Sequence, residues 1–311
     1  MPVYIHKGCF DGVTSGALVL GFLRELHDAA RPDIVPIDYS EASEWLDQAL
    51  PENASVVDFL YHPSATYWWD HHGDPFRHAS WREEYERRMS PFVQWDPDAK
   101  SCAGLILRTL STSDYDVPAH LQRTAAWADM IDSASYPTPE DAVINLSPAR
   151  QLALSLRVCE TYEYHTALVY ALADLDVADV ARLSPFSETA ATAVASYAAG
   201  VERMRKVSRL DVNTVTYTLD EGGPFSDRMV PFFLFRDAAY SLGILHDGRR
   251  LKVTANANPW RPPQTLDIGR IFRLHGGGGH HDVGSVILKG ADAARADDVL
   301  KNVLTILHGA A

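Results

Sequence analysis

Short apolar runs alternate with helical spacing along the first 75 residues. VYIH (3–6) has the length and side-chain type of a strand, while GVTSGALVLGFLRELHDAA (12–30) sets apolar residues three and four apart, as a helix does. IVPIDY (34–39) predicts a second strand, with Ser40 as N-cap of a helix in EASEWLDQAL (41–50). SVVDFL (55–60) and ATYWWDHH (65–72) predict two more strands around a turn at Pro63. This alternation predicts an α/β fold: a mostly parallel sheet with helices on both faces, whose ligands gather beyond the carboxyl ends of the strands.

From about residue 100 the pattern turns helical, in CAGLILRTL (102–110), HLQRTAAWADMID (120–132), ARQLALSLRV (149–158), EYHTALVYALADL (163–175) and ETAATAVASYAAGVERMRKV (188–207). After Leu210 the texture changes again, to the β-branched and aromatic runs VNTVTYTL, MVPFFLF, LKVTANA and GSVILKG. The expected organisation is a first α/β domain over 1–195, a helical linker over 196–208, and a smaller C-terminal α/β domain over 209–311. A length of 311 residues fits two domains. The glycine run at 276–279 has the composition of a flexible loop.

Composition narrows the function. No stretch of about 18 apolar residues could span a bilayer. The beginning MPVYIHKGCFDG lacks the basic-then-apolar order of a secretory signal. Three cysteines without CxxC spacing argue against a disulfide framework, so a cytoplasmic protein is expected. The net charge of −13 is uneven: residues 1–200 hold 13 Lys/Arg against 29 Asp/Glu, and residues 201–311 hold 15 against 12. An acidic body argues against coating long duplex nucleic acid, but not against a short anion held locally.

Chemistry-bearing residues cluster at predicted strand ends. His6, Cys9 and Asp11 follow the first strand, Asp58 lies near the end of the third, and Asp70, His71 and His72 close the fourth. Carboxylates and neutral imidazoles suit Mn²⁺, Mg²⁺ and similar ions, and a pair of such ions would activate water against a phosphate. Spacing alone leaves a structural ion network as the alternative.

The order HxxCxDG, a lone Asp at a strand end, DHH, a later Asp and GGGGHHDVG resembles the DHH phosphoesterase superfamily over nearly the whole chain, with a DHH domain first and a DHH-associated domain last. That superfamily includes RecJ-type exonucleases, oligoribonucleases acting on nano-RNA, adenosine bisphosphate phosphatases and cyclic dinucleotide phosphodiesterases. The resemblance implies metal ligation by His6, Asp11, Asp58 (bridging two ions) and His71, with His72 facing the substrate phosphate and Asp70 orienting a histidine. The late ligand would be Asp132, in ADMIDSASYPT, or its neighbour Asp129, with Asp132 preferred. Where the family has a second Asp, this chain has Cys9: a thiolate ligand favouring Zn²⁺ or Fe²⁺, a neutral thiol that weakens one metal position, or a buried small hydrophobe.

In the second domain the resemblance implies substrate contact by Gly277, Gly278, Gly279, His280 and His281, with GGGGHHDVG departing from the family spacing after His280. Upstream, ANANPWRPP offers Asn258 and Arg261 as substrate ligands and Trp260 as a stacking surface or a half-buried loop residue. The expected function is a metal-dependent phosphodiesterase of short oligonucleotides, with Mn²⁺ as first-choice cofactor. A phosphomonoesterase of adenosine bisphosphate and a non-hydrolysing nucleotide-binding module are the alternatives. The partners expected are a short oligonucleotide or small nucleotide, with no long duplex nucleic acid and no membrane, and a homodimer is left open.

Overall fold

The structure is a computed structural model that describes residues 1–27, 31–45, 47–248, 250–261 and 265–309. It divides into two compact units, 1–135 with 147–194, and 136–146 with 195–311.

In the first unit the strands β1 (Pro2–His6), β2 (Asp33–Ile37), β3 (Ser55–Val57), β4 (Tyr67–Asp70) and β5 (Val93–Trp95) form one sheet in the order β2-β1-β3-β4-β5, parallel throughout. Side chains alternate across a strand, so consecutive apolar residues require a layer on each face. Val3, Ile5, Val57 and Trp69 join the core under α1 (Phe10–Leu26), α2 (Cys102–Leu110), α3 (Ala119–Asp132) and α4 (Tyr162–Asp174). Their neighbours Tyr4, Val56 and Trp68 enter an aromatic core with Trp45, Phe59, Tyr61 and Tyr85 on the other face. Full burial of such side chains contributes roughly 1.5–3 kcal/mol each.

Two details differ from the sequence reading. Asp38, not Ser40, caps the chain after β2, accepting from Ser40 N at 2.7 Å, and the capped segment is a single 3₁₀ turn followed by the short helix Ala42–Trp45. Of the expected helix over 12–30, Asp28–Ala30 lie outside the described residues.

The second unit holds a six-stranded mixed sheet of β6 (Arg209–Asp211), β7 (Thr214–Leu219), β8 (Tyr240–Asp247), β9 (Arg250–Ala257), β10 (Gly278–His280) and β11 (Val283–Lys289), in the order β10-β11-β9-β8-β7-β6. Only the β7–β8 pair is parallel among these neighbours. The run ETAATAVASYAAGVERMRKV lies in one helix, α5 (Phe186–Val207), which belongs to the first unit up to 194 and to the second from 195. One face of the sheet is covered by α6 (Ile268–Arg273) and α7 (Ala296–His308) through Ile268, Phe272, Val299 and Val303. MVPFFLF is not a strand. Pro231 has no N–H for a ladder but suits the first turn of a helix, and Val230–Leu234 is helical.

Candidate metal centre

The first unit's chemistry collects where the sheet's carboxyl ends meet the following loops. His6 is the last residue of β1, Asp70 the last of β4, and Asp58 follows β3 directly. Gly12 makes this corner tight: a Cβ there would lie 2.2 Å from His6 O, so only glycine lets α1 begin so close to β1. Asp58 adopts φ 58°, a left-handed conformation that costs a side-chain-bearing residue free energy and is found at sites where surrounding structure enforces it. Its N–H is held by Trp69 O at 3.0 Å.

The two oxygens of Asp58 face different partners. Oδ2 lies 3.1 Å from Cys9 Sγ and 3.3 Å from His6 Nδ1. Oδ1 lies 3.6 Å from His71 Nε2 and 3.8 Å from His72 Nδ1. His71 Nε2 also stands 3.4 Å from Asp11 Oδ2 and 3.5 Å from Asp132 Oδ2. Three overlapping triads result: His6–Cys9–Asp58, Asp58–His71–His72 and Asp11–His71–Asp132. Ligand atoms about 2.1 Å from a shared ion lie from about 3.0 Å apart at a right angle to about 4.2 Å apart when opposite, so these spacings fit divalent ions.

Surrounding bonds fix the ligands' orientations. His71 Nδ1 donates to Ala99 O at 3.1 Å, which turns the Nε2 lone pair toward the three carboxylates. Asp11 accepts from Cys102 N (2.7 Å) and Ala103 N (2.8 Å), at the positive end of α2. Cys9 Sγ accepts from Gly12 N at 3.0 Å and so caps α1. His72 Nδ1 bonds Asp70 Oδ1 at 2.8 Å, and Asp70 is fully buried with its Oδ2 unpartnered.

The cluster is overloaded with negative charge. Burial and the nearby Asp58 and Asp132 push the Asp11 carboxyl well above the usual carboxylate range. Burial together with Asp58, Asp11 and Asp132 raises the Cys9 thiol. For Asp58 burial is outweighed by His6, His72 and His71, which bring it down to about 2. Burial works against a charged His72, but the bond to Asp70 and the carboxylates around it push it up to about 10. Burial raises Asp70 against the pull of His72. A bound cation would relieve the crowding.

Asp129 stands apart from the triads. Its Oδ1 accepts from Ser101 Oγ at 2.6 Å and packs so closely on α2 that a Cβ at Gly104 would lie 2.2 Å from it. Three positions escaped the sequence reading. Tyr39, just past β2, packs edge-on against His6 (5.0 Å between ring centroids) and His72 (5.7 Å), and its place beyond a strand's carboxyl end was the available signal. Ser101 holds Asp129, and His165 accepts from Gly8 N, 157 residues away in sequence. Nothing local marks either.

In the second unit the glycine run is not a loose loop. Gly278–His280 pairs with β11, and Gly279, with φ 148°, would put a Cβ 2.1 Å from Val283 O. Gly277 would put one 2.2 Å from Ser285 O, whereas Gly278 faces open space. His280 and His281 are exposed, and His281 Nδ1 lies 2.7 Å from Asp282 Oδ1. Asn258 is turned inward instead of toward a ligand. It is 3% exposed, and its amide donates to Ala238 O and accepts from Trp260 N to fold the loop. Trp260 is half-buried beside Val215, Phe232 and Ala238, with Nε1 donating to Tyr136 O at 2.8 Å. Arg261 is exposed and donates to Asp237 O; the prolines after it lie outside the described residues.

Solved structures with this architecture cover the chain from end to end. A pGpG-specific phosphodiesterase, PggH, from Vibrio cholerae superposes with a TM-score of 0.72 at 17% identity, covering 100% of both chains. The chain has the DHH phosphoesterase fold. An exopolyphosphatase-related protein from Bacteroides fragilis shares it at a TM-score of 0.52 and 12% identity, over 98% of this chain and 92% of that one. No protein-family model matches the sequence, and no curated protein matches it significantly.

Proposed function

We propose that the protein is a metal-dependent phosphodiesterase that hydrolyses short oligonucleotides, linear dinucleotides included. The observation that carries this reading is the division of one buried carboxylate, Asp58, between two sets of ligand atoms at a strand-end cluster. The end-to-end likeness to a phosphodiesterase of a linear dinucleotide supports the substrate class. Among the described residues no helix is long and apolar enough to cross a membrane.

In this reading His6, Cys9 and Asp58 would hold one divalent ion, and Asp11, His71, Asp132 and Asp58 a second. The ions would supply a nucleophilic hydroxide at neutral pH and neutralise the phosphate. The chain's own residues do the rest. Ala99 O keeps the His71 lone pair aimed at the carboxylates, and Asp11 is held rigid by the first N–H groups of α2. His72, oriented by its bond to Asp70, would steady the phosphate or protonate the departing oxygen. Exposed His280, His281 and Arg261 and the open Cα of Gly278 are the second unit's candidates for holding the substrate. The Asp and His ligands suit Mn²⁺ or Mg²⁺, while the thiol shifts the preference toward Zn²⁺ or Fe²⁺.

The test is hydrolysis of pGpG, a 5′-labelled RNA pentamer and adenosine bisphosphate with Mn²⁺, Mg²⁺, Zn²⁺ or no metal, beside Asp58→Asn. Metal-dependent cleavage of the diesters that disappears in the variant is expected. Turnover of the bisphosphate alone would make the protein a phosphomonoesterase, and nucleotide binding without turnover would make it a binding module.

A further inference from the structure

A fully buried histidine outside the ligand set touches the loop that carries Cys9. His165 lies in the first turn of α4 with no exposed surface. Its Nδ1 lies 2.9 Å from Thr161 O, an atom that can only accept, so this nitrogen carries the proton. Nε2 is therefore a lone pair, and it accepts from Gly8 N at 3.0 Å. The imidazole is thus held neutral in one tautomer, and burial pushes its pKa down in the same sense.

Gly8 is the most conformationally free residue of this loop. It takes φ 78°, between Lys7, whose N–H bonds Ile37 O at 2.7 Å, and Cys9, whose sulfur caps α1 and stands 3.1 Å from Asp58. Consecutive amides of the loop are thereby tied to two different elements, the end of β2 and the start of α4. The side chain next in line is the one that must reach the cluster.

We propose that His165 is a positioning residue of the metal centre: by accepting the Gly8 N–H it sets the path of the Lys7–Cys9 loop and so holds Cys9 at ligand distance. The role rests on the metal-centre reading above. Partners one bond removed from a metal ligand typically alter metal affinity 10–100-fold when lost.

The test uses the full-length protein titrated with Co²⁺, which reports thiolate ligation as a near-ultraviolet charge-transfer band. His165→Leu removes the acceptor at similar volume, and His165→Gln restores an acceptor near the Nε2 position. The Leu variant should bind Co²⁺ about 10–100-fold more weakly with a diminished thiolate band, and the Gln variant should recover most of both. Melting temperatures are measured alongside. A Leu variant that melts lower yet binds Co²⁺ with wild-type affinity and band would reduce His165 to packing and overturn the proposal.

A second measurement needs no variant. Coupling between sites is reciprocal, so metal must strengthen the Gly8–His165 bond by the factor that the bond strengthens metal. Hydrogen exchange at the Gly8 amide of the wild type should slow about 10–100-fold when the metal binds. An unchanged rate overturns the proposal even if the Leu variant does not fold. Wild-type protein that binds no Co²⁺ at all would remove the metal centre itself, and this role with it. Binding without any thiolate band would remove Cys9 as a ligand and overturn the positioning role alone.

Discussion

Asp58 combines three properties that rarely meet in one residue: complete burial, a left-handed backbone and a carboxylate shared between two sets of ligand atoms. The backbone requirement can be separated from the charge. Asn tolerates φ near +58° better than Ala, for which the left-handed conformation costs about 1–2 kcal/mol. Asp58→Asn and Asp58→Ala should both lose metal binding, but Asp58→Ala should unfold at lower denaturant, by about 1 kcal/mol relative to Asp58→Asn. Equal stabilities would show that the strain is relieved elsewhere. At this scale the sequence marked chemistry at strand ends, and His6, Asp58, Asp70, His71 and His72 lie together there. It was silent on His165 and Ser101, because their roles are made by helices that pack across the fold. It carried no sign that the Asn258 amide, whose type suits a ligand, is buried and hydrogen-bonded within its own loop.

Elements were legible when their own periodicity determined them and illegible when a partner did. CAGLILRTL is helical over the residues its apolar stripe marks, Cys102–Leu110. The glycine run carries no pattern of its own. What makes part of it a strand is β11 alongside and Gly269 of α6 above, where a Cβ would lie 2.4 Å from Gly279 O. The run therefore has positions with different tolerances. Gly277→Ala and Gly279→Ala drive a methyl into the β11 backbone, and each should cost at least about 1–3 kcal/mol. Gly278→Ala meets nothing within 4 Å and should stay within about 0.5 kcal/mol of the wild type. If an anion approaches the backbone here, Gly278→Ala should still raise KM for the diester with its melting curve intact. A normal KM would place the substrate phosphate elsewhere in the protein.

At the scale of the whole chain, the second unit is not a contiguous stretch. Residues 136–146, which lie between α3 and the helix Pro148–Ser155, belong to it with 195–311. No change of texture marks this segment, since its role is set by what it meets. The helix Pro139–Val143 packs on Val230–Leu234, Glu140 pairs with Arg236, and Tyr136 O receives Trp260 Nε1. A fragment of residues 195–311 would expose that face and leave the indole N–H of Trp260 without its protein acceptor, a loss worth about 1 kcal/mol even before the lost packing. Such a fragment should melt broadly and bind a hydrophobic dye. Joining 136–146 to residue 195 through a flexible Gly/Ser linker should restore a sharp transition, because the segment then acts at the high effective concentration a tether provides. If the untethered fragment already melts as sharply as the linked one, 136–146 rides on the second unit without supporting it, and a chain cut at 195 would yield an independent domain.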